Sequence, residues 1–193
     1  ILYKGDMTSP ADVEGLIAKT IEAFGSNIDI LVNVAGGLVA RKTIEEMDLE
    51  FFNYVMQLNM SSTFLVTKAV VPYMSEGASI VNFASQAGRD GGGPGASAYA
   101  TSKGAVMTFT RSMAKELGPK GIRVNSLCCG MISTTFHDTF SKPEGRAATA
   151  GNTPLRREGA PNEVADTVSF LASSDAAFVS GINMDVNGGL VFS

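Results

Sequence analysis

The chain has 193 residues, enough for one ordinary domain with a sizeable core. Hydrophobic residues make up 45% and the formal net charge is −4, which excludes a disordered chain and a general nucleic-acid binder. No apolar stretch has the length of a membrane span, and nothing at the N-terminus reads as a signal peptide, so a cytoplasmic protein with no membrane partner is expected.

Ile1–Gly5 is a short strand candidate that ends at Asp6. Ser9-Pro10 then reads as an N-cap and N1 pair opening a helix to about Phe24. Ile28–Ala35 is a nearly continuous apolar run closed by Gly36-Gly37, as for a parallel strand buried on both faces. A long helix is predicted from about Asp48 to Met74. Ala78–Ala84 is the next strand. A glycine-rich loop over Gly88–Gly95 leads into a helix from about Ser97 to Leu117, which Gly118-Pro119 stops. Ile122–Leu127 is another strand. Residues 130–159 read as irregular, Pro161 opens a helix to about Leu171, and Ile182–Val186 is the last strand. Strands alternating with helices predict a parallel sheet with helices on both faces, and chemistry at the carboxyl ends of its strands.

Cys128 and Cys129 are adjacent, a spacing that strains a disulfide. With His137 as the single histidine they cannot complete a zinc site, so no metal is expected. They read as reduced, small packing residues. His137 itself reads as a lid or surface residue.

Tyr99 and Lys103, in Tyr99-Ala-Thr-Ser-Lys103, stand one helical turn apart on one face, and Ser85 closes the apolar run fourteen residues upstream. A cation beside a phenol favours the phenolate. General acid/base work near neutrality asks a tyrosine of pKa ~10 to fall by about 3 units. Alone, such a pair is more often a half-buried tyrosine with a solvated lysine, and its surroundings decide.

Those surroundings match a pattern in order. Asp6-Met7-Thr8, Asn33-Val-Ala35-Gly36, Asn59 within Leu58-Asn-Met60, and the Ser85, Tyr99 and Lys103 set come first. Arg123-Val-Asn125 through Gly130, Ile132 and Thr134 follow, then Gly159-Ala-Pro161 and Val186-Asn-Gly-Gly189. In these residues the chain resembles the short-chain dehydrogenase/reductase family, from the third strand to the C-terminus. The resemblance implies a doubly wound, Rossmann-like α/β fold and an NAD(P)-dependent oxidoreductase interconverting a ketone and a secondary alcohol. Tyr99 would be the general acid/base. Lys103 would lower its pKa and bind the nicotinamide ribose, Ser85 would orient the carbonyl, and Asn59 would hold a water linking Lys103 to solvent. Asp6, Met7, Asn33, Ala35, Gly36, Gly130, Ile132 and Thr134 would contact the cofactor, NAD or NADP. Asn59 is alternatively a polar residue satisfying a helix irregularity, and Asn125 reads as structural.

The sequence departs from the family at Val34, where one polar contact is absent, and at Cys129, where a proline is usual. Without that proline the turn loosens, and Cys129 is an oxidation candidate unless buried. Arg89–Gly95 lacks the ending of a phosphate loop and is read as a flexible rim of the substrate pocket. Residues 130–160 would form the substrate lid. Its Lys142, Arg146, Arg156 and Arg157 point to an anionic substrate, such as a keto acid, a uronate or an acyl carrier, as readily as to ordinary solvated charge. Family members are usually tetramers, and Phe51, Phe52, Val55, Phe64, Val106 and Phe109 on the two long helices permit that.

The family's Gly-x-x-x-Gly-x-Gly loop has no counterpart in the sequence. About two βα units, roughly 50–60 residues, are expected to be absent. Residues 1–193 are accordingly read as a single, N-terminally incomplete domain. Ile1–Gly5 would then lack a partner strand, and Asp29–Val34 would be an exposed apolar edge. The competing reading is a non-catalytic oligomeric remnant that no longer binds the dinucleotide.

Overall fold

In the computed structural model, which describes residues 1–192, the elements follow the order α1 (Pro10–Phe24), β1 (Ile30–Asn33), α2 (Leu49–Met56), α3 (Ser62–Val70), β2 (Ser79–Phe83), α4 (Ala87–Asp90), α5 (Ser97–Leu117), β3 (Arg123–Cys129), α6 (Thr135–Phe140), α7 (Pro143–Asn152), α8 (Pro161–Ala172) and β4 (Asn183–Val186). The four strands form one parallel sheet in the order β1-β2-β3-β4, with Asn33 opposite Asn82 and Ser126 opposite Asn183. The Ser9 side chain accepts the Asp12 N–H and Pro10 begins α1, as the sequence predicts.

Side chains of the central strands alternate between two cores. Val81 and Leu127 pack with Val164 and Leu171 of α8 on one face. Ile80 and Val124 pack with Leu117 of α5 on the other. Val13 and Ile17 of α1 meet Val66 and Val70 of α3 beside that second face. Below the strand ends a buried polar chain crosses four elements. The Asn33 amide donates to Thr67 Oγ1 at 3.2 Å and to Asn82 Oδ1 at 2.8 Å, and the Asn82 amide donates to Thr110 Oγ1 at 3.0 Å. Asn125 is structural too: it donates to Val179 O at 2.8 Å and accepts the Ile182 N–H at 3.2 Å, which fixes the chain entering β4.

Four expectations are corrected. Ile1–Gly5 forms no strand, because no strand among the described residues lies on the open side of β1 to pair with it. That open side leaves Ile30, Val32 and Val34 exposed, the apolar edge the sequence implies. The predicted helix over 48–74 is not one α-helix: Gln57–Ser61 is a π turn between α2 and α3, and Val71–Tyr73 is 3-10. Residues 130–159 are not irregular, since Thr134 caps α6 and Pro143 opens α7. The stretch 89–95 is not loop throughout: Arg89 and Asp90 close α4, with Arg89 ion-paired at 2.8 Å to Asp185 of β4, while Gly92 and Gly93 line the cleft as the rim expected there. Among the described residues no helix is long and apolar enough to cross a membrane.

Asn82→Ala removes an acceptor from Asn33 and a donor to Thr110, both buried. Urea unfolding should show a loss of about 2 kcal/mol, several times that of an alanine at exposed Asp166.

Candidate active site

The site forms where β1, β2 and β3 end. Ser85 follows β2 by two residues, and its Oγ accepts the Ala87 N–H at 3.1 Å in the turn that opens α4. The α4 segment is pressed onto α5, since a Cβ on Gly88 would stand 2.8 Å from the Gly104 nitrogen and 2.9 Å from the Lys103 carbonyl carbon. That close approach brings α4 against the helix that carries Tyr99 and Lys103, and Ser85 lines the same cleft as both.

Lys103 is buried, and its Nζ donates to Phe83 O at the end of β2 at 2.7 Å. The same ammonium lies 5.8 Å from the centroid of the Tyr99 ring. Gly36 adopts φ 155°, and a Cβ there would stand 2.5 Å from Asn59 Oδ1 and 3.2 Å from Lys103 Nζ. The sequence pattern is therefore sterically required here: only glycine lets the end of β1 approach both groups.

Asn59 sits in the π turn and is fully buried. Its amide donates to Val55 O at 2.9 Å and to Gly37 O at 2.9 Å, while its Oδ1 accepts the Gly37 N–H at 3.0 Å. The residue thus satisfies the helix irregularity and grips the Gly36–Gly37 turn. A π turn in mid-helix often marks a functional site.

A cleft of about 800 Å³ gathers Gly36, Ser85, Tyr99, Lys103, Gly130, Ile132 and Thr134 on its walls. Gly130 donates its N–H to Val186 O at 3.0 Å, and a Cβ there would meet Asn187 Cβ at 2.7 Å. Ile132 bridges to Gly159. Asp6, Met7, Asn33 and Ala35 are not on the cleft walls. Asp6 folds back on Thr8, whose backbone N–H and hydroxyl hold its carboxyl below the usual range. Met7 packs beside α1 and α3, and the Asn33 side chain belongs to the polar chain under the sheet. Ala35 is exposed beside Val34, which does line the cleft.

The electrostatics differ from the sequence expectation. Burial pushes the Tyr99 phenol above its ordinary value, with the nearby Ser85 hydroxyl pulling it down and Cys129 adding to the rise. Lys103 is not among the groups that shift the phenol, and burial brings that cation itself down to about 8. Burial also pushes the Cys129 thiol up to about 11, followed by the effect of Cys128, which keeps it protonated and unreactive near neutrality. The lid cations are engaged or remote. Arg146 pairs with Glu158 at 2.7 Å and Asp138 at 2.5 Å, Arg157 pairs with Glu163 at 2.6 Å, and neither they nor Lys142 and Arg156 line the cleft.

Sequence reasoning did not find Gln86, Phe136 or the Gly88–Gly104 contact. Gln86 lines the cleft with a buried Oε1 that has no partner among the described residues, and the Phe136 ring lies 5.9 Å from that of Tyr99. Only the glycine at 88, before a helix that holds glycine at 104, could have signalled the close approach.

Two outcomes test this geometry. Gly130→Ala forces the backbone away from Asn187 and should lower the melting temperature by several degrees, measured by differential scanning calorimetry. Lys103 sheds its proton near pH 8 in the fold and near 10.5 when unfolded. Between those values the unfolded chain binds more protons, so this group raises stability with pH. Urea unfolding from about pH 7.5 to 9.5 should favour wild type over Lys103→Met by about 1–2 kcal/mol more at the upper end.

Comparison with known proteins agrees with this architecture. A family model described as Enoyl-(Acyl carrier protein) reductase matches residues 1–191. The chain is 40% identical over 190 residues to 2-(R)-hydroxypropyl-CoM dehydrogenase of Xanthobacter autotrophicus, covering 96% of this chain and 75% of that one. It is 35% identical over 187 residues to the 3-oxoacyl-acyl-carrier-protein reductase of Vibrio cholerae, with the same coverage of 96% and 75%. A short-chain dehydrogenase/reductase of Brucella melitensis superposes with a TM-score of 0.92 at 35% identity, over 98% of this chain and 76% of that one. An NADH-dependent reductase of alginate metabolism gives 0.88 at 31% identity over 99% and 76%. A metagenomic blue fluorescent protein in complex with NADPH gives 0.89 at 29% over 97% and 74%. With the strand order, the cleft and these matches together, the chain belongs to the short-chain dehydrogenase/reductase family of enzymes.

Proposed function

We propose that this protein is an NAD(P)-dependent oxidoreductase that interconverts a ketone and a secondary alcohol. One observation carries the reading: Ser85, Tyr99 and Lys103 line one cleft, with the Lys103 Nζ 5.8 Å from the centre of the Tyr99 ring. The cleft walls suit the nicotinamide end of a dinucleotide, because Gly36 and Gly130 leave open the space that a Cβ would fill. Gly36, Lys103, Gly130, Ile132 and Thr134 would hold that end. When bound, the nicotinamide supplies or accepts the hydride.

The side chains do the rest. The Ser85 Oγ takes its hydrogen bond from Ala87 N–H, so its own proton is free for the phenol or for a carbonyl oxygen. Tyr99 gives its proton to that oxygen during reduction and removes one from the alcohol during oxidation. A raised phenol pKa keeps the proton on Tyr99 until the oxygen becomes basic. Lys103, held by Phe83 O, places positive charge beside the phenolate that remains. Asn59 holds the Gly36–Gly37 turn and leaves one Oδ1 lone pair for a relay water.

In this reading residues 130–160 close over the substrate, with Phe136 against the Tyr99 ring excluding water. Phe64 and Phe109 stack edge-on at 6.4 Å on the outer side of α3 and α5, with Phe64 exposed, a surface suited to helix pairing in a homotetramer. The two free thiols fit a reducing, cytoplasmic setting.

Tyr99→Phe is the direct test. Turnover of a ketone with NADH or NADPH should fall by about 10²–10⁴-fold, while the Kd for the reduced cofactor, followed by its fluorescence, stays within about twofold. Full turnover in the variant would remove Tyr99 from the mechanism. Failure of wild type to bind either cofactor would favour the non-catalytic reading.

A further inference from the structure

Once the lid cations are accounted for, Arg41 stands alone at the mouth of the cleft. It is exposed, lines the cleft, and forms no ion pair among the described residues. Its guanidinium instead touches two carbonyls of the rim: Nη1 donates to Pro94 O at 3.0 Å and Nε to Phe140 O at 3.5 Å. The glycine-rich loop packs on it, since a Cβ on Gly93 would stand 3.5 Å from Nη1 and one on Gly95 3.0 Å from the Arg41 Cβ. Those contacts aim the head group while leaving Nη2 and the second Nη1 proton unused. That pair is the fork that binds a carboxylate with two parallel hydrogen bonds.

No other group on the walls competes. Asp90 is the acid of the lining, and both its oxygens are engaged, accepting from Gln86 Nε2 at 2.9 Å and from the Gly92 N–H at 2.8 Å. His137 lines the cleft as well, half-buried beside Phe136, and burial first, then the charge of Arg146, hold it below its ordinary value against the opposing pull of Glu158. Lys103 is buried with its Nζ on Phe83 O, away from the exposed rim where Arg41 stands.

We propose that Arg41 is the specificity-determining residue of this cleft and that the substrate is a ketone or alcohol bearing a carboxylate or similar oxyanion. This deepens the oxidoreductase reading and rests on it. The reacting carbonyl sits at Ser85 and Tyr99 on the floor, and the anionic end reaches the rim, where Arg41 joins the loop before α2, the glycine-rich loop and α6.

The test pairs a keto acid with its neutral ester, acetoacetate with methyl acetoacetate, in wild type, Arg41→Ala and Arg41→Lys. Wild type should favour the acid. The ratio of kcat/KM for acid over ester should fall about 10–100-fold in Arg41→Ala, mostly through KM, with partial recovery in Arg41→Lys and a decline with added salt. Equal losses for acid and ester would make Arg41 a clip for the rim and overturn the proposal, as would a wild type indifferent to the charge. Calorimetric titration with the same two compounds separates the two readings. Anion-selective binding that Arg41→Ala loses, without turnover of either compound, would uphold the anion site while removing the oxidoreductase reading.

Discussion

The hydrogen bond from Lys103 Nζ to Phe83 O organises this molecule. An ammonium taken out of water needs fixed partners, and here the last carbonyl of β2 is one of them at 2.7 Å. That single contact ties the long helix α5 to the end of the central sheet. It places Tyr99 one turn away, above the point where the strands stop. Glycines at 36 and 88 allow backbone to close around the same lysine, one from β1 and one from α4. Without side chains at those two positions the cation is enclosed by protein while its neighbour faces the cleft.

The polar chain of Asn33, Thr67, Asn82 and Thr110 works beneath that arrangement. A buried amide specifies its neighbours more narrowly than a methyl group does, because each donor needs its acceptor at a fixed angle. β1, β2, α3 and α5 are thereby held in one register just under the cleft that Ser85, Tyr99 and Lys103 line. Apolar packing on the α8 face supplies bulk stability and carries no such directional demand.

Much of this was legible from residues alone where the signal is local. Ser9-Pro10, Pro161 and the stop at Gly118 mark helix ends through caps and fixed dihedrals, and the apolar runs of β2 and β3 are bounded by turns. Tyr99 and Lys103 could be paired because four residues on one helix fix their separation. What depends on distant partners was not legible. The π turn exists because Asn59 bonds Gly37 across the fold. Ile1–Gly5 has strand composition, but a strand is defined by its neighbour. The helices α6 and α7 fully bury no residue, and the one apolar pair of α6, Phe136 and Phe140, is too short a stripe to announce a helix. The rise in the Tyr99 pKa is a sum over its surroundings, which no spacing rule contains.

The π turn at Gln57–Ser61 also sets the phase of everything after it. Each residue of an α-helix advances the chain by about 100° around the axis. Wound as regular α-helix with the same residues, this turn would instead rotate α3 by about that angle against α2. Val66, Val70 and Thr67 would leave their partners on α1 and β1 together. The extra residue is a spacer: it lets one continuous rod hold Asn59 against Gly37 and still present its second half to the core, each on its own angular schedule.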